Sequence, residues 1–210
     1  DYDFNINSFG KTSIETISKT LFKTEKILKK INPDGVFILG DTNSSLSAIS
    51  ARKNKIPIFH YEAGNRCYDY DTPEEVNRKI VDHISDINLT YSNLSRENLI
   101  HEGLKKNRVI SIGSPLPEVF YDNYLKIDNS KILKKLNIKK NEFFFLNFNR
   151  EDNLETKKLE SIIDILLRLT LLKKFKIIVS THPRTKIKIL NQKIFKNKNI
   201  IFSIPFNYSD

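Results

Sequence analysis

Apolar residues recur at helical spacing between residues 12 and 31, at Ile14, Ile17, Leu21, Leu28 and Ile31, and Thr12 followed three positions later by Glu15 supplies a capping box for that helix. Pro33-Asp34-Gly35 then makes a turn, and the pattern changes to the short unbroken run Val36-Phe37-Ile38-Leu39. Comparable runs follow at Ile56 to Tyr61, Ile87 to Tyr91 and Val109 to Ile112. Between them lie helical patterns through Leu46 and Ile49 to Arg52, near 74–84 and near 93–102, the first with Thr42 or Asn43 placed to cap it. Short apolar runs alternating with helices predict an α/β protein with a parallel, doubly wound sheet.

The alternation gives way between Pro117 and Asn141 to short helices rich in Lys and Asn. A second series then opens at Phe143-Phe144-Phe145-Leu146, with strands expected near 176–180 and 200–204. No internal repeat or low-complexity linker interrupts the chain.

Composition narrows the class. At 210 residues, 39% hydrophobic and 29% charged, the chain is globular rather than disordered. No stretch approaches the roughly 18 consecutive apolar residues of a membrane span. The single cysteine, Cys67, allows no internal disulfide and no thiolate metal cluster, which suits a reducing, cytoplasmic setting, and no metal is expected. The net charge of +10 is uneven: residues 1–125 hold 16 Lys+Arg against 17 Asp+Glu, and residues 126–210 hold 19 against 8. A basic half can serve nucleic acid or a phosphorylated ligand. The lysines are scattered over helices without interleaved exposed aromatics, so a solvated face is the better reading and no nucleic-acid partner is expected.

Chemistry is concentrated in forty residues, in Gly40-Asp41-Thr42, His60-Tyr61-Glu62-Ala63-Gly64-Asn65-Arg66 and Pro73-Glu74-Glu75-Val76-Asn77-Arg78. The first two directly follow predicted strands, and in open α/β sheets ligands bind beyond the carboxyl ends of the strands. Asp41 and Glu62 are therefore expected to face one cleft. Taken singly, each residue has a plainer explanation: Asp41 could cap the next helix, Glu74 and Arg78 could form an i,i+4 pair, and His60 and His83 read as structural.

In this order and near this spacing the three motifs resemble the non-hydrolysing UDP-N-acetylglucosamine 2-epimerase family. The run from Glu62 through Asn65-Arg66-Cys67 to Glu74 and on to Asp82-His83 is most similar to the branch that forms UDP-N-acetyl-L-fucosamine from the talose-configured sugar. Ile112-Gly113-Ser114-Pro115 resembles the segment closing the family's first domain. Asn149-Arg150-Glu151-Asp152-Asn153 resembles its His-Arg-Glu-Glu-Asn signature, and Ser180-Thr181-His182-Pro183-Arg184-Thr185 resembles another family block.

The resemblance implies two Rossmann-like domains of glycosyltransferase-B-type architecture, both incomplete here: the later part of the first over 1–120, a connection over 121–140, and the opening part of the UDP-binding domain over 141–210. It implies inversion at C2 of a UDP-N-acetylhexosamine without a cofactor, through loss of UDP to a glycal and its re-addition. Asp41 and Glu62 would be the acid/base pair, with Glu74 a third, helix-borne group. Arg66, Arg78, Asn149, Arg150, His182 and Arg184 would face the nucleotide sugar, in the active site or at a second, regulatory position. A homodimer is implied for the full-length protein. Asn149 departs from the family: it can donate a hydrogen bond to a phosphate but cannot carry charge, so Asn149→His is expected to raise turnover. The chain has no Met and the family extends beyond both its ends, so it reads as an internal piece, inactive alone. The competing readings are a binding remnant that no longer catalyses and a glycosyltransferase of similar architecture.

Overall fold

The computed structural model describes residues 6, 8–148, 156–172, 175–181 and 197–210, which fall into two compact units, Asp1–Pro115 and Leu116–Asp210. The first opens with α1 (Ser13–Ile31). Thr12 Oγ1 accepts the Glu15 N–H at 3.1 Å, as the capping pattern requires, and Glu15 Oε2 reaches back to the Lys11 N–H at 2.6 Å. Asn32 ends the helix in the left-handed conformation, with its N–H on the Leu28 carbonyl.

Strands and helices then alternate: β1 (Val36–Leu39), α2 (Ser47–Lys53), β2 (Ile58–Tyr61), α3 (Pro73–Ile84), β3 (Ile87–Thr90), α4 (Asn93–His101) and β4 (Val109–Ser111). A short 3₁₀ turn, Asn43–Leu46, leads into α2; Thr42 precedes it without a side-chain capping bond. The four strands are parallel and neighbour one another in chain order, β1-β2-β3-β4. Their register aligns Ile38 with His60, His60 with Asn88, and Asn88 with Val109, so these four share one face of the sheet.

That face is the core. Leu28 of α1, Ala48 and Ala51 of α2 and Val81 of α3 pack with Ile38 and Ile58, while Leu99 of α4 packs with Val109 and Ala63. Phe37, Leu39, Phe59 and Ile110, on the other face, are exposed. Among the described residues the connecting helices of this sheet thus pack on one face. Right-handed crossovers that always step the same way put each connecting helix on one side, and covering both sides requires the strand order to reverse.

The two faces should answer differently to truncation. Ile58→Ala, at a fully buried position, is expected to cost about 2–5 kcal/mol in chemical denaturation, because the side chains around it can only partly fill the void. Leu39→Ala, on the open face, is expected to stay within about 1 kcal/mol.

The second unit holds α5 (Leu116–Asp128), α6 (Ile132–Lys135), β5 (Phe143–Phe148), α7 (Thr156–Leu172), β6 (Lys176–Thr181) and β7 (Ile200–Ser203). Its three strands are parallel in the order β5-β6-β7, around a core of Leu166, Ile177, Val179 and Ile200. Among the described residues no helix is long and apolar enough to cross a membrane, and no cluster of His, Cys, Asp and Glu is arranged to hold a metal ion.

Candidate active site

The exits of β1 and β2 carry the acidic motifs side by side, because Leu39 and Tyr61 are register partners. Gly40 and Asp41 follow the first, Glu62 the second. The Gly40 N–H donates to the Tyr61 carbonyl at 3.0 Å, extending the ladder by one step into the turns. Gly40 has φ +74°, and a Cβ built on it would lie 3.6 Å from Glu62 Oε2, so the Glu62 carboxylate stands over the turn that carries Asp41. Glu62 itself has φ +72°, a left-handed conformation that costs a non-glycine residue free energy.

Helix α3 holds the Asp41 turn. Arg78 donates from Nε at 2.9 Å and Nη2 at 2.5 Å, both to Asp41 Oδ2, and Asn77 Nδ2 donates to the Asp41 carbonyl at 3.0 Å. Arg78 Nη1 reaches the Asn65 carbonyl at 2.9 Å and Glu75 Oε2 at 3.0 Å. The expected Glu74–Arg78 pair is replaced by one with Glu75, which is fully buried and also accepts the Cys67 N–H at 3.0 Å. Glu74 sits exposed in the first turn of α3, where a carboxylate complements the helix dipole.

A second network holds the turn after β2. Gly64, at φ +79°, packs so closely on α4 that a Cβ would overlap the Ser95 carbonyl oxygen. Arg66 donates to Glu102 from Nε and Nη2, both at 2.6 Å, to Asp82 Oδ2 at 2.8 Å and to the Asn65 carbonyl at 2.7 Å. Asp82 also accepts the Gly64 N–H and a ring nitrogen of His60, the latter at 2.8 Å. The side chains of His60, Asp82 and Arg66 are completely enclosed.

The hydrogen bond from Arg66 holds the Glu102 carboxyl below its ordinary value of 4.5, against a smaller opposing effect of burial. A depressed folded-state value means stability that is present above pH 4.5 and lost as pH falls through the folded value. Glu102→Gln is therefore expected to shallow the acid limb of a stability profile taken by denaturant titration between pH 6 and pH 3, leaving other carboxylates such as Asp86 to supply the remainder.

Aromatic side chains flank the carboxylates. The Tyr61 and Tyr91 rings meet edge to face at 5.0 Å, and Phe37 lies 5.4 Å from Tyr61. The Tyr91 hydroxyl is pushed up to about 12, first by burial and then by the Glu62 charge, so it stays a neutral donor throughout the physiological range.

Among the sequence-expected residues, Asp41, Glu62 and Arg78 are brought together. The Arg66 guanidinium, expected to face the nucleotide sugar, is enclosed and donates to Glu102 and Asp82. Arg78 spends both forks on Asp41, Glu75 and the Asn65 carbonyl. Asn149, Arg150, His182 and Arg184 lie outside the described residues. Sequence reasoning passed over Asp82, Glu102 and Asn77. The available signal was a polar residue at an inward strand position, His60, with an acid four residues after Arg78 on the facing helix.

Comparison with known proteins bears on this arrangement. All of residues 1–210 match the family model described as UDP-N-acetylglucosamine 2-epimerase. The chain is 33% identical over 215 residues to UDP-N-acetylglucosamine 2-epimerase of Methanocaldococcus jannaschii, covering 98% of this chain and 58% of that one. It is 37% identical over 204 residues to a homolog of that enzyme from Methanococcus maripaludis, covering 93% and 54%. Among solved structures it is similar to UDP-N-acetylglucosamine 2-epimerase from Rickettsia bellii, with 41% identity, a TM-score of 0.89, and coverage of 97% and 54%. It is also similar to the M. jannaschii UDP-GlcNAc 2-epimerase in complex with UDP-GlcNAc and UDP, with 29% identity, a TM-score of 0.85, and coverage of 100% and 60%. The chain thus spans between 54% and 60% of the length of these proteins.

Proposed function

The chain belongs to the UDP-N-acetylglucosamine 2-epimerase family, and on that premise we propose that the protein inverts C2 of a UDP-N-acetylhexosamine, with Asp41 and Glu62 as its acid/base pair. No carbonyl on the ring adjoins the C2 hydrogen, so simple abstraction and return would be prohibitively slow. The route we assign breaks the C1–O bond, with its electron pair leaving on UDP, while a carboxylate removes the C2 proton and the C–H pair forms the C1–C2 double bond. UDP then adds back to C1 as a proton reaches C2 from the opposite face. Two proton-transfer groups on two sides of one sugar are needed.

The observation that carries the reading is the placement of Asp41 and Glu62 at the exits of two register-matched parallel strands. Each turn is anchored by an arginine-centred network, and the two meet at the Asn65 carbonyl. Glu74, exposed one turn away on α3, is the third group we assign to the sugar. Asn149, Arg150, His182 and Arg184 are assigned to the nucleotide by resemblance alone. A cytoplasmic homodimer is the form in which we expect the protein to act, with room for a second, regulatory nucleotide sugar. The M. jannaschii structure is described as holding UDP-GlcNAc and UDP, so we take UDP-GlcNAc as the first substrate and the talose-configured sugar as the second.

A binding-only remnant is favoured by one residue, Asn149 in place of the family His. Chromatography of the full-length protein with UDP-GlcNAc separates the two. The enzyme reading predicts the C2 epimer, with traces of UDP and 2-acetamidoglucal; a remnant would bind the nucleotide sugar and return it unchanged.

A further inference from the structure

His60 occupies the centre of the covered sheet face, with no exposed surface, and both ring nitrogens are engaged. Nδ1 lies 2.8 Å from Asp82 Oδ1, and Nε2 lies 3.0 Å from the Gly40 carbonyl oxygen. The carbonyl can only accept, so Nε2 carries a proton. Asp82 already accepts from Arg66 Nη1 at 2.8 Å on Oδ2, and from the Gly64 N–H at 3.3 Å on both oxygens. A carboxylate surrounded by donors leaves nothing to donate back to the ring, so Nδ1 carries a proton as well.

The charges then balance: His60 and Arg66 are positive, and the enclosed Asp82 and the partly exposed Glu102 are negative. A buried imidazolium is tolerated only with such pairing.

The two partners of the ring sit at mechanically useful places. Gly40 immediately precedes Asp41, and its N–H bonds to the carbonyl of Tyr61, which immediately precedes Glu62. Asp82 fixes the same ring from α3 and pins the Gly64 amide just beyond Glu62. We infer that His60 is a positioning residue, a doubly protonated ring clamped between Asp82 and the Gly40 carbonyl that sets the two strand exits, and with them Asp41 and Glu62, at the separation proton transfer to and from C2 requires. The inference rests on the function proposed above.

The variant that tests it is His60→Gln in the full-length protein. Its amide group can donate to one partner, but its oxygen then faces the other acceptor, so the clamp opens at one end. With reacting groups displaced by about an ångström, kcat is expected to fall on the order of 10²-fold with KM for UDP-GlcNAc within threefold. The decisive readout is the ratio of free 2-acetamidoglucal to epimer. A misplaced proton donor lets the glycal escape, and the ratio should rise at least fivefold. Loss of folded protein lowers both products together and leaves the ratio unchanged. A well-folded His60→Gln protein with wild-type ratio and kcat would overturn the proposal.

Nitrogen-15 spectra of the wild-type histidine ring give a check that needs neither turnover nor a folded variant. Protons on both His60 nitrogens are expected, and a ring with a single proton would overturn the clamp. If the wild type turned over no UDP-sugar while its ring carried both protons, the proposed function would fall and the clamp would stand as a structural feature only.

Discussion

Asp82→Ala is expected to cost the first unit about 3–5 kcal/mol, the range seen when one partner of a buried ion pair is removed. The reason lies in what is left behind. Asp82 has no exposed surface and holds two enclosed groups, the His60 ring at 2.8 Å and the Arg66 guanidinium at 2.8 Å, besides the Gly64 amide. Without it, the Arg66 guanidinium stays charged, and Glu102 alone must balance it. A loss of this size can equal the whole stability of a small domain. The measurement is the denaturant midpoint of the wild type and the variant at neutral pH. Replacing Asp82 by Asn keeps one acceptor oxygen and should cost less than Ala. Equal losses would mean that the lost charge, rather than the cavity, dominates.

The second large effect is on chemistry. In the full-length protein, Asp41→Asn is expected to lower kcat by about 10²–10⁴-fold, the usual contribution of a positioned acid or base, while binding of UDP by calorimetry changes little. Asn preserves the shape and can still accept the Arg78 fork through its amide oxygen, so the turn should hold. Arg78 donates both Nε and Nη2 to Oδ2 and neither to Oδ1. A variant with unchanged kcat would remove Asp41 from the acid/base pair and shift the role to Glu62 and Glu74.

Much of this was legible in the chain. The run Val36 to Leu39 and the helical spacing that follows it marked a parallel strand and its crossover, though only one face of that strand is buried, and Thr12 with Glu15 marked the start of α1 to the residue. Asp41 and Glu62 were expected just beyond two strands, and both lie there. What the sequence concealed was the direction of each crossover. Phe37 and Ile38 look equally buried as letters, yet only Ile38 faces helices, because that depends on strand order rather than on local pattern. Partner choice was concealed as well. Arg66 and Arg78 read alike as cations near an anionic ligand; their carboxylate partners, Asp82 on α3 and Glu102 just after α4 for Arg66 and Asp41 after β1 for Arg78, lie 16 to 37 residues distant along the chain. His60 was read as structural because it lay within a strand. Its two hydrogen bonds, visible only in three dimensions, tie that structural position to the turn before Asp41.

The account stands most directly on solvent exchange at C2. The full-length protein, incubated with UDP-GlcNAc in D2O and followed by proton NMR, is expected to lose the C2 proton signal from both epimers as it interconverts them, because every inversion delivers a proton from a carboxyl group in contact with solvent. Epimerisation with the C2 proton retained would contradict proton transfer through Asp41 and Glu62.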